Sequence, residues 1–330
     1  MRPFTYTRST TVDDALKAYG AGPDVRYIGG GTNLVDLMKM GVERPARLVD
    51  ISRLPLTAIE EHEGGLRIGA MASNTEAANH KLIRSRYPVL SEAILAGASQ
   101  QLRNKATTGG NLLQRTRCFY FYDPAYRECN KRDPGSGCAA IQGYNRIHAI
   151  LGASPECIAT HPSDMCVALT ALDAIVQVKG PQGERSIPMV EFHRLPGNEP
   201  QTDTNLHPGE LITAVDVPAM PYARRSRYLK VRDRNSYAFA LVSVAVALDL
   251  DDSGVIRRVQ IALGGVAHKP WRASKAEQVL TGKKPDPSTL RAAADAELAE
   301  AKTYKDNAFK VELTRRAIGR AVAMAVNREA

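Results

Sequence analysis

The amino-acid sequence predicts an α+β protein of two or three compact domains, and three observations carry that reading. The chain has 330 residues, 44% hydrophobic and 24% charged, a globular composition and more than one minimal core requires. Residues 24–50 read as strand, glycine turn, helix and strand in direct succession. From Tyr228 onward, strand and helix patterns alternate again after an irregular, cysteine-bearing stretch has interrupted them.

Taken in order, Asp13 to Tyr19 forms a short amphipathic helix with Thr10 or Thr11 as its N-cap. Val25 to Ile28 is a strand, Gly29-Gly30-Gly31-Thr32-Asn33 a turn, Leu34 to Met40 a helix and Arg47 to Ile51 a strand, together a small βαβ unit. A strand follows at Leu66 to Met71, then helices at Asn74 to Ile83 and Pro88 to Ala98, and a second glycine turn at Thr107 to Gln114. Between Arg115 and Thr160, Asp-Pro, Pro-Gly-Ser-Gly, aromatics and four cysteines replace periodicity, the mark of an insertion fixed by something other than a hydrophobic core. Patterning returns as a helix at Asp164 to Leu172, strands at Ala174 to Lys179 and Arg185 to Pro188, and a polar loop at Asn198 to Gly209. The remainder predicts a strand at Tyr228, a long apolar run from Ala238 to Leu250, a turn at Asp251 to Gly254, a strand at Val259 to Leu263 and three helices.

The formal net charge is +9, yet basic residues alternate with acidic ones, and the densest basic run, Arg224 to Arg227 with Lys230, Arg232 and Arg234, is short. With no nucleic-acid module beside it, the excess suits an anionic cofactor or an acidic partner rather than a duplex. No window nears the ~20 apolar residues of a bilayer span, so direct membrane insertion is not expected. The N-terminus carries no signal-peptide pattern, leaving a cytoplasmic site or periplasmic co-export with a partner.

A triple glycine between strand and helix lets backbone N–H groups converge on a phosphate, because glycine tolerates φ > 0 and close approach. The spacing is not G-x-G-x-x-G, and a plain tight turn explains the same residues. Thr107-Thr108-Gly109-Gly110-Asn111 supplies a second turn, and two such loops can clamp a dinucleotide diphosphate. Asp164 is either a helix N-cap or a carboxylate for ribose hydroxyls. Cys118, Cys129, Cys138 and Cys157 are separated by ten, eight and eighteen residues. Neighbouring cations and free N–H groups, as in Cys129-Asn130-Lys131-Arg132, favour thiolates. Iron–sulfur cluster, structural zinc, disulfides and no ligand all remain open on spacing alone, which fits no C-x₂-C signature. Cys166 reads as a small buried hydrophobe. Neither His148 nor His161 is assigned as a ligand.

Ile28-Gly29-Gly30-Gly31-Thr32-Asn33-Leu34, Gln101-Leu102-Arg103-Asn104 with Thr107 to Leu112, and Ser163-Asp164-Met165 resemble the FAD-contacting motifs of the molybdenum hydroxylase flavoprotein subunits. Ile261 to Ala267 and Pro270-Trp271-Arg272-Ala273 resemble that family's C-terminal domain, so the resemblance runs through nearly the whole chain. It implies a PCMH-type (vanillyl-alcohol-oxidase-like) FAD domain over 1–222, with a βαβ subdomain at 1–55 and a larger one at 56–222, then a CO-dehydrogenase-flavoprotein-like domain over 223–330. FAD contacts are implied at Arg26, Tyr27, Ile28, Gly29, Gly30, Gly31, Thr32, Asn33 and Leu34 on the pyrophosphate. Thr108, Gly110 and Asn111 are implied along the ribityl and phosphate path, with Asp164 at a ribose or the diphosphate, Ile212 as a backbone adenine contact and Lys230 at the flavin. A solvated strand lysine is the ordinary alternative for Lys230.

The text around the cysteines is similar to the insertion of periplasmic aldehyde oxidoreductase and 4-hydroxybenzoyl-CoA reductase flavoprotein subunits, closer to the former. That implies a [4Fe–4S] cluster on Cys118, Cys129, Cys138 and Cys157 within an insertion at 115–160. The implied function is electron transfer in a heterotrimer: a molybdenum-cofactor large subunit oxidises an aldehyde or other substrate, a [2Fe–2S] small subunit relays electrons, and FAD here passes them to an external acceptor. No catalytic side chain for substrate is expected on this chain. Two alternatives stand beside it, a self-contained flavin oxidoreductase of the same fold and a flavin-free binding module clipped by zinc.

Overall fold

A computed structural model describes residues 1–20, 22 and 24–328. The N-terminal unit is a three-stranded parallel sheet in the order β1-β3-β2, from β1 (Thr5–Arg8), β2 (Val25–Ile28) and β3 (Arg47–Asp50). Helix α1 (Val12–Tyr19) is capped by Thr11, whose hydroxyl accepts from the Asp14 N–H. Helix α2 (Leu34–Lys39) joins β2 to β3 and makes the predicted βαβ unit. Strand β1 lies outside every periodic signal: its four residues are all exposed and it is held by its ladder to β3.

The second unit is an antiparallel sheet of order β4-β5-β8-β6-β7, built from β4 (Ile59–His62), β5 (Gly65–Gly69), β6 (Ile175–Gly180), β7 (Gly183–Pro188) and β8 (Leu211–Val217). Helices α3 (Asn74–Asn79), α4 (Lys81–Arg86), α5 (Pro88–Ala96), α6 (Gln100–Lys105) and α7 (Thr108–Leu112) follow β5. The helix expected over Asn74 to Ile83 is two, because His80 is extended at φ −63° and ψ 131° and ends one helix while starting the next. The segment Thr107 to Gln114, expected as a turn, contains α7, capped by Thr107. Short helices α8 (Phe119–Tyr122) and α9 (Ala139–Gln142) lie in the cysteine insertion, α10 (Asp164–Ala171) is buried along its whole length, and α11 (Met189–Phe192) follows β7.

The C-terminal sheet has the order β12-β11-β10-β9, from β9 (Ser226–Val231), β10 (Val242–Leu250), β11 (Ile256–Gly264) and β12 (Trp271–Arg272). Val242, Val244, Val246 and Leu248 of β10 face α12 (Ser274–Leu280), α13 (Pro287–Leu298) and α14 (Phe309–Val326) in one core. The opposite face, including Tyr228, Ala245, Ala247 and Ala262, packs into the core that holds α5, α10 and the second sheet. Burial on both faces explains why β10 reads as a continuous apolar run and not as an alternating strand. It also means that a hydrophobic core crosses the expected boundary between residues 222 and 223.

Four residues of the dense basic run find partners across the fold, while Arg224 and Arg234 stay exposed. Arg225 donates to the Val326 carbonyl, Arg227 pairs with Glu92 at 2.9 Å, Lys230 with Asp164 at 2.7 Å, and Arg232 donates to the Ala96 carbonyl. No helix among the described residues is long and apolar enough to cross a membrane.

Candidate flavin cleft and cysteine cluster

The first glycine turn forms one wall of a cleft that also takes in Glu43, Thr107, Gly110, Leu112, Gln114, Arg115, His193, Gln201, Asp203 and Thr204. Its enclosed part measures about 330 Å³, the scale of a small-molecule site. All nine residues from Arg26 to Leu34 line it. Among the described residues, no backbone N–H from Gly29 to Leu34 has an acceptor within the chain. Asn33 adds an amide whose Oδ1 accepts from the Arg115 N–H at 3.2 Å, while the buried Nδ2 lies toward the Tyr122 hydroxyl without a well-formed hydrogen bond. A row of half-buried N–H groups without acceptors in the chain, along the wall of a cleft, fits the oxygens of a diphosphate.

The glycines meet two separate requirements. Gly31 has φ +72°, the left-handed region that favours glycine. Gly30 is needed for packing, since a Cβ there would sit 2.0 Å from the Lys105 carbonyl oxygen. The predicted reason, close approach of the ligand, is therefore not the nearest constraint at Gly30. The two glycine loops are in backbone contact, and the space one residue lacks is space the other occupies.

The second loop is used differently from the expectation. Thr107 faces the cleft and caps α7 by accepting from the Gly110 N–H at 3.2 Å. Thr108 is fully buried and donates to the Ala72 carbonyl at 3.1 Å, so its hydroxyl is turned into the core and away from the ligand path. One residue along a short helix moves a side chain by about 100°, and spacing alone could not say which threonine points outward. Gly110 lines the cleft, whereas Asn111 accepts from Ser163 Oγ at 2.5 Å and Gln114 Nε2 at 2.9 Å and ties α7 to the start of α10.

Ser163 is the N-cap of α10, which leaves Asp164 free of that duty. Asp164 accepts from Tyr228 Oη at 2.6 Å and pairs with Lys230 Nζ at 2.7 Å, with side chains only 8% and 4% exposed. Lys230 also donates to the Ala96 carbonyl, so it is not a solvated strand lysine. Burial first, then Asp164, pushes the Tyr228 phenol well above its ordinary value. Asp164, Lys230 and Ile212 lie outside the lining of the cleft, with Ile212 buried beside Gly109.

The four insertion cysteines border one small cavity together with Thr116, Asn130 and Lys131. All are free thiols; Cys118, Cys129 and Cys157 are buried and Cys138 partly so. Cys129 and Cys138 face each other across an isolated bridge, and Asn130 Oδ1 accepts from the N–H groups of Gly135 and Gly137, shaping the Pro-Gly-Ser-Gly turn. The insertion has a small apolar core after all, in which Cys118, Cys129 and Cys157 pack with Leu37, Phe121 and Ile158. No three of the four sulfurs lie mutually within 4.8 Å.

Burial dominates the acidity of Cys118, Cys138 and Cys157. It pushes Cys118 up to about 12 and Cys157 up to about 11, with Lys131 pulling Cys157 only partly back. At Cys118 and Cys157 desolvation of the charged form outweighs the neighbouring cations and N–H groups that were expected to favour thiolates, and a bound metal would drive their deprotonation. His148 Nε2 lies 3.1 Å from Cys118 Sγ, a contact no sequence pattern announced, and burial pushes His148 down to about 4. Cys166 is wholly buried as expected, and groups with His161 and His193. Burial leaves that trio uncharged, both imidazoles pushed down and the thiol up to about 12.

Glu43, His193, Gln201, Asp203 and Thr204 were not legible as cleft residues. Asp203 sits in what reads as a polar loop, and its pairing with Arg115 at 2.8 Å spans 88 positions. Arg115 follows the second glycine loop directly, the one signal that pointed toward it.

Known proteins match this arrangement. The model for the FAD binding domain in molybdopterin dehydrogenase matches residues 2–220, and that for the CO dehydrogenase flavoprotein C-terminal domain matches 227–326. The chain is 50% identical over 327 residues to the aldehyde oxidoreductase FAD-binding subunit PaoB of Escherichia coli (strain K12), covering 98% of this chain and 99% of that protein. It is 28% identical over 282 residues to the glyceraldehyde dehydrogenase medium chain of Sulfolobus acidocaldarius, 85% of this chain and 82% of that one. The structure of carbon monoxide dehydrogenase from Hydrogenophaga pseudoflava contains a chain that superposes with a TM-score of 0.78 at 26% identity, covering 100% and 99% of the two chains. Fold and cleft thus define an FAD-binding flavoprotein with a second, CO-dehydrogenase-flavoprotein-type domain. More narrowly, the chain belongs to the family of FAD-binding medium subunits of the molybdenum hydroxylases.

Proposed function

We propose that this chain is the FAD-carrying electron-transfer subunit of a molybdenum-dependent aldehyde oxidoreductase, working with a molybdenum-cofactor large subunit and a [2Fe–2S] small subunit in a heterotrimer. The observation that carries the flavin reading is the row of unpaired N–H groups from Gly29 to Leu34 facing the cleft. The identity of 50% with an aldehyde oxidoreductase subunit supports the substrate class and the partners.

In this reading Gly29 to Leu34 hold the diphosphate, with Arg26 and Tyr27 beside them. Thr107 and Gly110, in place of Thr108, border its path. Asp164, held by Lys230 and Tyr228, and the backbone at Ile212 receive the ribose and adenine end, while Lys230 keeps a buried positive charge near the site. Bound FAD interconverts one- and two-electron transfer, which is what a junction between iron–sulfur relays and an external acceptor needs. The chain's own residues orient the cofactor and exclude water from it; substrate oxidation belongs to the large subunit.

The four insertion cysteines hold a [4Fe–4S] cluster. Their free thiols around one cavity, within a stretch whose sequence resembles cluster-bearing insertions, support that reading. The FAD domain then spans 1–222, with the insertion at 115–160, and the C-terminal domain 223–330. The site of action is the periplasm after co-export, or the cytoplasm.

Visible spectra with flavin, iron and zinc analysis of anaerobically purified protein test this. About one FAD and four irons per chain are expected. Flavin without iron would remove the cluster and leave the flavin role, whereas zinc without yellow colour would overturn both.

A further inference from the structure

Two residues beyond Cys129, the Lys131 side chain is 1% exposed, and it finds its partners outside the insertion. Nζ donates to the Pro200 carbonyl at 2.6 Å and to Asp203 Oδ1 at 2.5 Å, about seventy positions away in the chain. A buried ammonium is tolerated only when paired and hydrogen-bonded, so this residue fixes the insertion against the segment 193–205.

That segment is a wall of the flavin cleft through His193, Gln201, Asp203 and Thr204. The other Asp203 oxygen accepts from Arg115 Nε at 2.8 Å, and Arg115 Nη1 donates to Glu43 at 2.6 Å. Glu43 in turn pairs with Arg26 at 3.3 Å, and the Arg115 N–H donates to Asn33 Oδ1. Charges therefore alternate without a break from the cysteine cavity to the glycine turn, Lys131 to Asp203 to Arg115 to Glu43 to Arg26. Lys131 also borders the cysteine cavity itself. The insertion has little regular structure to hold Lys131 in place: two four-residue helices and isolated bridges.

We propose that Lys131 is a positioning residue that couples the two cofactor sites, so that filling the cysteine cavity tightens the hold on FAD, and FAD stabilises the filled cavity by the same factor. The inference rests on the cluster reading above. A loaded cavity fixes the backbone at Cys129, and with it the lysine that anchors segment 193–205. An emptied cavity frees that backbone, leaves Asp203 with a weakened partner and loosens the cleft wall. Coupling between two sites is reciprocal by linkage and typically amounts to about 5- to 150-fold in affinity. On this view the cluster serves the flavin site through its mechanical support, whatever its place among the electron carriers.

The test measures FAD dissociation constants by flavin fluorescence, with iron analysis, on the full-length protein as purified anaerobically. Lys131→Met is expected to keep its iron and to weaken FAD binding by about tenfold or more. Cys129→Ser is expected to lose iron and weaken FAD by a similar factor, and the double variant to be no weaker than Cys129→Ser alone. Asp203→Asn cuts the same link from the cleft side and replaces Lys131→Met if that variant does not fold. Unchanged FAD affinity in iron-loaded Lys131→Met or Asp203→Asn overturns the proposal, as do effects that add in the double variant. Wild-type protein without iron sinks the cluster reading and the coupling built on it. Iron-loaded wild type with unchanged FAD affinity in the lysine variant sinks the coupling alone.

Discussion

Replacing Gly30 by alanine puts a methyl carbon where the structure has 2.0 Å to the Lys105 carbonyl oxygen and 3.1 Å to the Ala106 Cα. Ordinary contact between a carbon and a carbonyl oxygen is above 3 Å, so two backbone segments must part by about 1 Å, and neither is a flexible side chain that can swing aside. Overpacking of this kind costs about 1–3 kcal/mol, occasionally more. With an unfolding entropy of about 0.7 kcal/mol per kelvin for a chain of this length, 3 kcal/mol lowers the midpoint by about 4 °C. Because the segment that must move leads from Lys105 into the Thr107 loop, the cleft opens with it, and FAD affinity is expected to fall by more than the stability loss alone explains. Gly29→Ala is the graded control: its nearest atom is Thr107 Oγ1 at 3.2 Å, which can yield by a few tenths of an ångström. Thermal melts and flavin content of the two variants give the answer. Gly30→Ala with full flavin and an unshifted midpoint, or Gly29→Ala as the more damaged of the two, would refute the reasoning.

Lys230→Met strips a buried carboxylate of its ion-pair partner and leaves Asp164 with Tyr228 alone, a loss of about 3–5 kcal/mol. Lys230→Met with Asp164→Asn should cost less than the sum of the singles in urea denaturation, and simple additivity would argue against the pair. At Asp203 burial pushes the carboxyl up, but Lys131, Arg115 and His268 outweigh it and hold it below the usual range. A depressed native value means stabilisation that is complete above the unfolded-state value near pH 4 and lost as pH falls through the folded one. The stability gap between wild type and Asp203→Asn should therefore be flat from pH 7 to about pH 4 and close below it; a gap that shrinks near neutrality would point to another group. His148→Phe removes the contact at 3.1 Å to Cys118 Sγ. If the proposed cluster is bound and His148 donates from Nε2, an EPR-monitored redox titration of the iron-loaded variant should find the midpoint at more negative potential, since hydrogen bonds to cluster sulfurs favour the reduced form. An unmoved midpoint would assign that contact to packing.

The glycine turn was legible because its determinants are local: strand propensity in Val25 to Ile28, three glycines, and a helix beginning at Leu34 within a few positions. The α10 helix, the Asp251 turn and the three C-terminal helices were legible for the same reason. Strands β1, β4 and β8 were not: the four exposed residues Thr5 to Arg8 carry no alternation and become a strand only by pairing with β3, while β8, largely buried on both faces at the centre of its sheet, shows no two-residue alternation either. The four cysteines could be named from the sequence, with cluster, zinc, disulfides and no ligand all open on spacing, but only the fold sets them around a single cavity.

Residue types and short-range pattern thus determined by themselves that two glycine loops exist, that one helix begins at Ser163-Asp164, and that four thiols share one irregular stretch. Only the tertiary structure decided which side chains meet. It set Thr107 on the cleft and Thr108 in the core, gave Arg225, Arg227, Lys230 and Arg232 internal partners, and brought Lys131, Asp203, Arg115 and Glu43 into one line. The physical reason is range. Turns and helices are set by neighbours a few residues apart, whereas an ion pair between positions 72 or 88 residues apart depends on how whole sheets are stacked, and no local preference records that.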